Sequence, residues 1–79
     1  MRKTDEVREL IIQTSLALFN EKGYSQTSIQ DIMDASGVPK GAIYRRFKDK
    51  NEIALAAFEY AGRILWKHFS EAVASASTA

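Results

Sequence analysis

The chain has 79 residues, of which 46% are hydrophobic and 27% are charged, and its formal net charge is +1. A chain of this length forms one small domain, which buries only about 60% of the surface that the unfolded chain exposes. It contains no cysteine, which excludes a disulfide framework and a thiolate zinc site. No apolar run approaches the roughly eighteen residues of a membrane span, and the charged amino-terminal residues do not resemble a secretory signal. We therefore expect a cytoplasmic protein with no membrane partner.

The first helix is expected to begin near Thr4 or Asp5, with Thr4 as the N-cap, and to end near Lys22. Apolar residues recur at helical spacing on two sides of this segment, namely Val7, Leu10, Ile11 and Leu18 on one side and Ile12, Leu16 and Phe19 on the other. Two apolar sides predict a helix that packs between neighbours. Gly23 should end the helix, and Tyr24 should pack back over its last turn.

A second, short helix is expected over residues 28–35. Thr27 and Gln30 have the spacing of a capping box, in which the Thr27 hydroxyl accepts from an amide of the first turn. Ile29, Ile32 and Met33 form an apolar stripe, and Ser36-Gly37 ends the helix.

A third helix is expected over residues 39–46, about three residues after the second. Proline is suited to the first helical position, which makes Val38 the N-cap even though its side chain has no acceptor. Ile43 and Phe47 should face inward. The outer side of this helix then consists of Lys40, Gly41, Tyr44 and Arg45.

A fourth helix is expected over residues 50–70, with Asp49 and Glu52 at capping-box spacing. The remaining residues, 71–79, are expected to be its fraying end or an added tail. The predicted fold is therefore all-α, a four-helix homeodomain-like domain over residues 1–70. Its second and third helices have the short connection of a helix-turn-helix.

Positive charge is concentrated in the segment Gly37 to Lys50, which holds five basic residues and one acidic residue and so carries +4 on a chain of +1. Because phosphate attraction is short-ranged in salt, a local basic surface of this kind favours nucleic-acid binding. The second helix of a helix-turn-helix enters the major groove. There Lys40 offers a donor with reach, and Gly41 lets the backbone approach the DNA closely.

Three further side chains are expected to contact phosphates, which positions a protein on DNA without reading its sequence. Tyr44 has a hydroxyl that can donate to a phosphate. Lys50 lies at the start of helix four, where its ammonium and the amides of the helix end can meet one phosphate. Thr27 has a hydroxyl in the same position at the start of helix two.

Four groups of residues follow one another without gaps between about Val7 and Phe58. They are Gly23-Tyr24, Thr27-Ser28-Ile29-x-Asp31-Ile32, Ala35-Ser36-Gly37-Val38 and Lys40-Gly41-x-Ile43-Tyr44-x-x-Phe47-Lys48-x-Lys50. Together they resemble the N-terminal domain of the tetracycline-repressor (TetR) family of transcriptional regulators. The resemblance implies a helical domain that binds double-stranded DNA. It also implies a larger second domain that forms a homodimer on a palindromic operator and binds a small-molecule effector, with repression as the usual activity.

Carried over by position, the resemblance implies phosphate contacts from Thr27, Tyr44 and Lys50, with Arg45 in a further phosphate-binding position. It implies groove contacts around Val38, Pro39, Lys40 and Gly41. Pro39 stands where the family commonly has serine, so a hydroxyl that can reach DNA is missing there. Because the chain stops just after helix four, we expect an excised domain without the effector pocket and the dimer interface.

Two other classes of protein compete with this interpretation. Tyr60, Trp66 and Phe69 can form an apolar docking surface, which suggests a helical protein-interaction module without DNA binding. A small enzyme is disfavoured because His68, the only histidine, has no partner for a metal site or for activating a nucleophile. We expect no cofactor, no metal and no catalytic residue. Thr14 and Ser15 are instead expected to return hydrogen bonds to the preceding turn.

Overall fold

A computed structural model describes residues 5–77 of the chain and the side chains of residues 5–72. Within that range the chain forms four helices and no strand: α1 (Glu6–Lys22), α2 (Ile29–Ser36), α3 (Lys40–Arg46) and α4 (Lys50–Ser77). The predicted fold class is confirmed, and α2 and α3 form the helix-turn-helix. The last helix extends to Ser77, well past the predicted end near residue 70.

The N-cap of α1 is Asp5, whose carboxylate accepts a hydrogen bond from the Arg8 amide at 3.2 Å. The prediction that Thr4 would be the N-cap is wrong, and Thr4 itself lies outside the described residues. At the other end the Gly23 amide donates to the carbonyl of Phe19 at 2.9 Å. The rings of Phe19 and Tyr24 pack with their centres 5.3 Å apart, which confirms that Tyr24 folds back over the last turn.

The capping box of α2 lies one residue later than predicted. The Ser28 hydroxyl accepts from the Asp31 amide at 3.0 Å, and the Asp31 carboxylate accepts from the Ser28 amide at 3.0 Å. The prediction that Thr27 and Gln30 form the box is therefore wrong. Thr27 is 1% exposed, and its hydroxyl donates to the carbonyl of Gly23 at 2.8 Å. Thr27 is thus buried against the core, and its neighbour Ser28 is the N-cap of α2.

The turn between α2 and α3 also differs by one residue from the prediction. Gly37 ends α2 in the left-handed conformation, with φ 77°, which glycine adopts without steric cost. Pro39, rather than Val38, is the N-cap of α3, and its carbonyl accepts from the amides of Ala42 and Ile43. The Pro39 side chain has no acceptor for the free amides of the first turn, so only its carbonyl serves as a cap.

The N-terminus of α4 is fixed by two carboxylates. Asp49 accepts from the Glu52 amide at 3.0 Å, as its spacing predicted. Glu52, however, accepts from the Lys48 amide at 2.8 Å rather than from its capping partner. Both hydrogen bonds join the short turn after α3 to the first turn of α4.

The core lies where α1 meets the other three helices, as its two apolar sides predicted, although Leu10, which was assigned to one of these sides, is 43% exposed. It consists of Ile11, Ile12, Ile32, Val38, Ile43, Phe47, Ile53, Ala56 and Ala57. An ion pair closes its edge, because Arg46 donates from Nε to the Asp5 carboxylate at 3.0 Å and from a terminal nitrogen to the Ala42 carbonyl at 3.1 Å. The end of α3 is thereby tied to the start of α1.

Ser15 is a polar residue inside this core. It is fully buried, and its hydroxyl has no hydrogen-bond partner in the described part of the protein. The prediction that it bonds back to the preceding turn is wrong. Since an unsatisfied buried hydroxyl costs about 1–3 kcal/mol, we expect Ser15→Ala to leave the free energy of unfolding unchanged or to raise it by up to about 1 kcal/mol. Urea denaturation measures this, and a loss above about 1 kcal/mol would reveal a bond that the hydroxyl makes.

The Asp31 carboxylate also joins α2 to the end of α1. Its hydrogen bond from Ser28, and then the one from the Lys22 ammonium at 3.0 Å, lower the pKa of Asp31 below its ordinary value of 3.8. A lowered pKa in the folded state stabilises the domain above the unfolded pKa, and this stability is lost as the pH falls through the folded pKa. We therefore expect the urea concentration at the unfolding midpoint to decrease as the pH falls below about 4. The decrease should be smaller in Asp31→Asn, which has no carboxylate at this position. Identical acid profiles for both proteins would contradict this role.

Candidate DNA-binding site

The two sides of α3 have opposite characters, as the spacing predicted. Ile43 and Phe47 are buried in the core, whereas Lys40, Tyr44 and Arg45 are exposed. Tyr44 retains 42% of its accessible surface, so a ligand outside the domain can contact this residue. An amphipathic helix of seven residues is thus anchored by its inner side and presents two cations and a phenol outward.

Gly41 lies on the same exposed side. A methyl group added to it would meet no atom within 4 Å. The absence of a side chain is therefore not demanded by packing inside the domain. It leaves the start of α3 with its backbone open to a partner, which fits the predicted close approach to DNA.

Val38 and Thr27 are not at the surface where we expected them. Val38 is 6% exposed and belongs to the core, and its amide donates to the Ser36 hydroxyl at 3.1 Å. Thr27 is buried with its hydroxyl directed at the carbonyl of Gly23. Both side chains are thus buried within the domain, and their contact with DNA stays a prediction. Pro39, by contrast, is exposed at the start of α3.

Lys50 lies half-buried at the first position of α4, where its ammonium already has partners within the domain. It donates to the carbonyl of Tyr24 and to the carbonyl of Thr27, both at 2.9 Å. The ammonium also lies 4.2 Å from the centre of the Tyr24 ring, at cation–π distance. Sequence reasoning missed Tyr24 here, because these partners are more than twenty residues away along the chain.

The other four basic residues of the segment Gly37 to Lys50 fall into two groups. Arg46 donates hydrogen bonds to the Asp5 carboxylate and the Ala42 carbonyl inside the domain. Lys40, Arg45 and Lys48 are exposed and keep their charge on the outer surface. The positive charge that reaches solvent thus lies mainly on the outer side of α3 and in the turn after it.

No other chemistry is apparent in the part of the chain that the structure describes. It holds no group of three histidine, cysteine or acidic residues that could bind a metal ion. None of its helices is long and apolar enough to cross a membrane. The features with a chemical rationale are those of the helix-turn-helix.

Comparison with known proteins points to the same region. Residues 11–57 match the family model described as bacterial regulatory proteins, tetR family. The chain is 46% identical over 56 residues to the HTH-type transcriptional regulator YerO of Bacillus subtilis. These residues make up 71% of the chain and 19% of YerO. It is 42% identical over 52 residues to the HTH-type transcriptional regulator AcrR of Shigella flexneri, covering 66% of the chain and 24% of AcrR. No solved structure gave a significant match.

A third relative, the probable acrEF/envCD operon repressor of Escherichia coli strain K12, is 40% identical over 48 residues, which are 61% of the chain and 22% of that protein. The chain therefore spans only about a fifth to a quarter of the length of these curated relatives. The family match covers more than half of the chain and includes α2, α3 and the start of α4. The chain belongs to the TetR family of bacterial regulatory proteins, and its helix-turn-helix lies within the part of the chain that the family model matches.

Proposed function

We propose that Lys40, Gly41, Tyr44 and Arg45 form the DNA-contacting surface of this regulator, with Pro39 at its edge. The observation that carries the proposal is the orientation of α3, since these residues are exposed while Ile43 and Phe47 anchor the opposite side. In this arrangement Lys40 and the Gly41 backbone face the major groove. Tyr44 and Arg45 donate to phosphates and set the register.

The contributions of the buried positions are different in kind. Thr27 and Val38 act through the shape of the domain, because their side chains stabilise the loop before α2 and the turn before α3. Lys50 contributes charge at the start of α4 and is held by backbone carbonyls on one side. An ammonium has three N–H donors, so a third remains for a phosphate oxygen.

The intact regulator is proposed to be a homodimer that represses transcription from a two-fold symmetric operator. Two copies of α3 would then lie about 34–36 Å apart, one turn of the duplex. A relative that is 40% identical is named as a probable operon repressor, which supports repression. Release by a small-molecule effector, and a cytoplasmic location, are proposed from the family resemblance alone.

A helical protein-interaction module is the weaker candidate. Trp66 and Phe69 are largely exposed on α4, with their ring centres 5.9 Å apart, and they would form its docking surface. The family match is to regulators rather than to interaction modules, and it favours the DNA-binding interpretation.

A salt titration of duplex binding tests the proposal. The affinity of the chain for a duplex of about two helical turns is expected to fall steeply with salt. Arg45→Ala should lower the slope of log affinity against log salt by about 0.9, the value of one phosphate contact. The matched control is Lys67→Ala, which removes an exposed cation roughly 25 Å from the first residue of α4 along the helix axis. This variant should leave the slope unchanged. Binding that ignores salt, or equal slopes for wild type and Arg45→Ala, would contradict the proposal.

Selection of bound sites from a random duplex library separates base contacts from backbone contacts. We expect Lys40→Ala to change the preferred sequence, and Tyr44→Phe to weaken binding to all sequences about equally. If both variants lose affinity uniformly and retain the same preferred site, Lys40 contacts only the backbone.

A further inference from the structure

The Lys50 ammonium has three contacts within the domain, which a lysine that only binds a phosphate does not need. Two backbone carbonyls of the loop between α1 and α2 accept its hydrogen bonds, and the face of the Tyr24 ring lies 4.2 Å away. A surface lysine normally samples many rotamers, and its side chain loses about 2 kcal/mol of rotamer entropy when it is fixed. Here the ammonium is fixed by the domain itself, before any ligand is present.

Tyr24, which supplies one of these carbonyls and the ring, is also held in place. Its ring packs against Phe19 with centres 5.3 Å apart. Its hydroxyl donates to the side-chain oxygen of Asn51 at 3.2 Å, and Asn51 follows Lys50 directly in α4. The ring is thus fixed by α1 on one side and by α4 on the other, and its face is presented to the ammonium.

We propose that Tyr24 is a positioning residue for DNA binding, which holds the Lys50 ammonium at the point where one DNA phosphate is bound. This inference rests on the function proposed above, because it explains the fixed position of the Lys50 side chain by a contact with DNA. The two carbonyls accept two of the three N–H groups of the ammonium, and in the proposed complex the third donates to the phosphate. Fixing the ammonium beforehand raises affinity because less freedom is lost on binding.

A purely structural role for the same contacts makes a different prediction. If Tyr24 and Lys50 only fasten the loop to α4, their loss lowers the stability of the domain. It leaves the affinity of the folded molecules for DNA unchanged apart from the charge of Lys50. Affinity therefore has to be measured on the folded fraction, which circular dichroism determines for each variant.

The test is a double-mutant cycle of Tyr24→Leu and Lys50→Met on the 79-residue chain, with a duplex of about two helical turns as the probe. Tyr24→Leu is expected to lower affinity about twofold to fivefold, the range of an exposed cation–π contact, without changing the salt slope. Lys50→Met should lower the slope by about 0.9. The double variant should bind no more weakly than Lys50→Met alone, because without the ammonium Tyr24 has nothing to position.

Tyr24→Phe is the conservative rescue variant. It keeps the ring face and the carbonyl and removes only the hydrogen bond to Asn51, so its affinity should stay within about twofold of wild type. If Tyr24→Leu does not fold, Tyr24→Met takes its place, since a flexible apolar side chain refills the space without an aromatic face.

Independent losses at the two positions in the cycle, or full affinity for folded Tyr24→Leu, would overturn the inference. Either result leaves the proposed function intact, provided that the wild-type chain binds the duplex in a salt-dependent manner. If the wild-type chain does not bind in that manner, the proposed function fails and the inference fails with it.

Discussion

Replacing Ile43 by alanine is expected to lower the free energy of unfolding by about 2–5 kcal/mol. Ile43 has no accessible surface and anchors the inner side of α3 in the core. A chain of 79 residues has a total stability of about 4–12 kcal/mol, so this loss is a large part of it. For a domain of this size each kcal/mol shifts Tm by about 4–8 °C, and thermal unfolding followed by circular dichroism should show a drop of about 10 °C or more.

The control for this experiment lies on the same helix. Arg45→Ala removes a larger side chain from the exposed side of α3, where substitutions change stability by no more than about 0.5 kcal/mol. Equal losses for Ile43→Ala and Arg45→Ala would mean that α3 is not anchored through its inner side. In that case the orientation on which the proposed DNA surface depends would be wrong.

Replacing Gly41 by alanine is expected to stabilise the isolated domain and to weaken its DNA complex. Alanine in a helix is more stable than glycine by about 0.5–1 kcal/mol, and the added methyl meets no atom of the domain within 4 Å. A duplex that approaches the backbone of α3 closely would meet this methyl. Because an extra methyl forced into a packed contact costs about 1–3 kcal/mol, the affinity should fall about tenfold. Urea denaturation and duplex titration measure the two effects separately.

Gly62 provides the matched control for this second prediction. It is an exposed glycine inside α4, and a methyl added there also meets no atom within 4 Å. Gly62→Ala should therefore raise the free energy of unfolding by about the same 0.5–1 kcal/mol and leave DNA affinity unchanged. Wild-type affinity in Gly41→Ala would show that the backbone of α3 does not come close to the duplex.

The inner and outer sides of α3 could be predicted from the sequence because they follow from local periodicity. Side chains three and four residues apart share a side of any helix, whatever surrounds it. Ile43 and Phe47 are four residues apart, as are Lys40 and Tyr44, and the apolar character of the first pair marks it as the inner side. The structure confirms this division, because the first pair is buried and the second is exposed. The same rule predicted the two packed sides of α1.

The capping residues could not be predicted with the same precision. Thr27 and Ser28 are adjacent hydroxyl residues, and each has a polar residue three positions later, so two capping boxes one residue apart are compatible with the local sequence. Ser28 is the N-cap in the structure because Thr27 is buried in the interior. Val38 was likewise expected to contact the groove from its position in the motif, but burial of its apolar side chain places it in the core.

By itself the sequence determined the four helices, the anchored and exposed sides of α3, and membership of the TetR family of bacterial regulatory proteins. All of these depend on residues that are close in the chain, where spacing translates directly into geometry. Only the tertiary structure decided that Arg46 pairs with Asp5 and that Lys50 is held by Tyr24 and Thr27. Such contacts join residues 23 to 41 positions apart, and they form only when packing of the core brings one helix end against another.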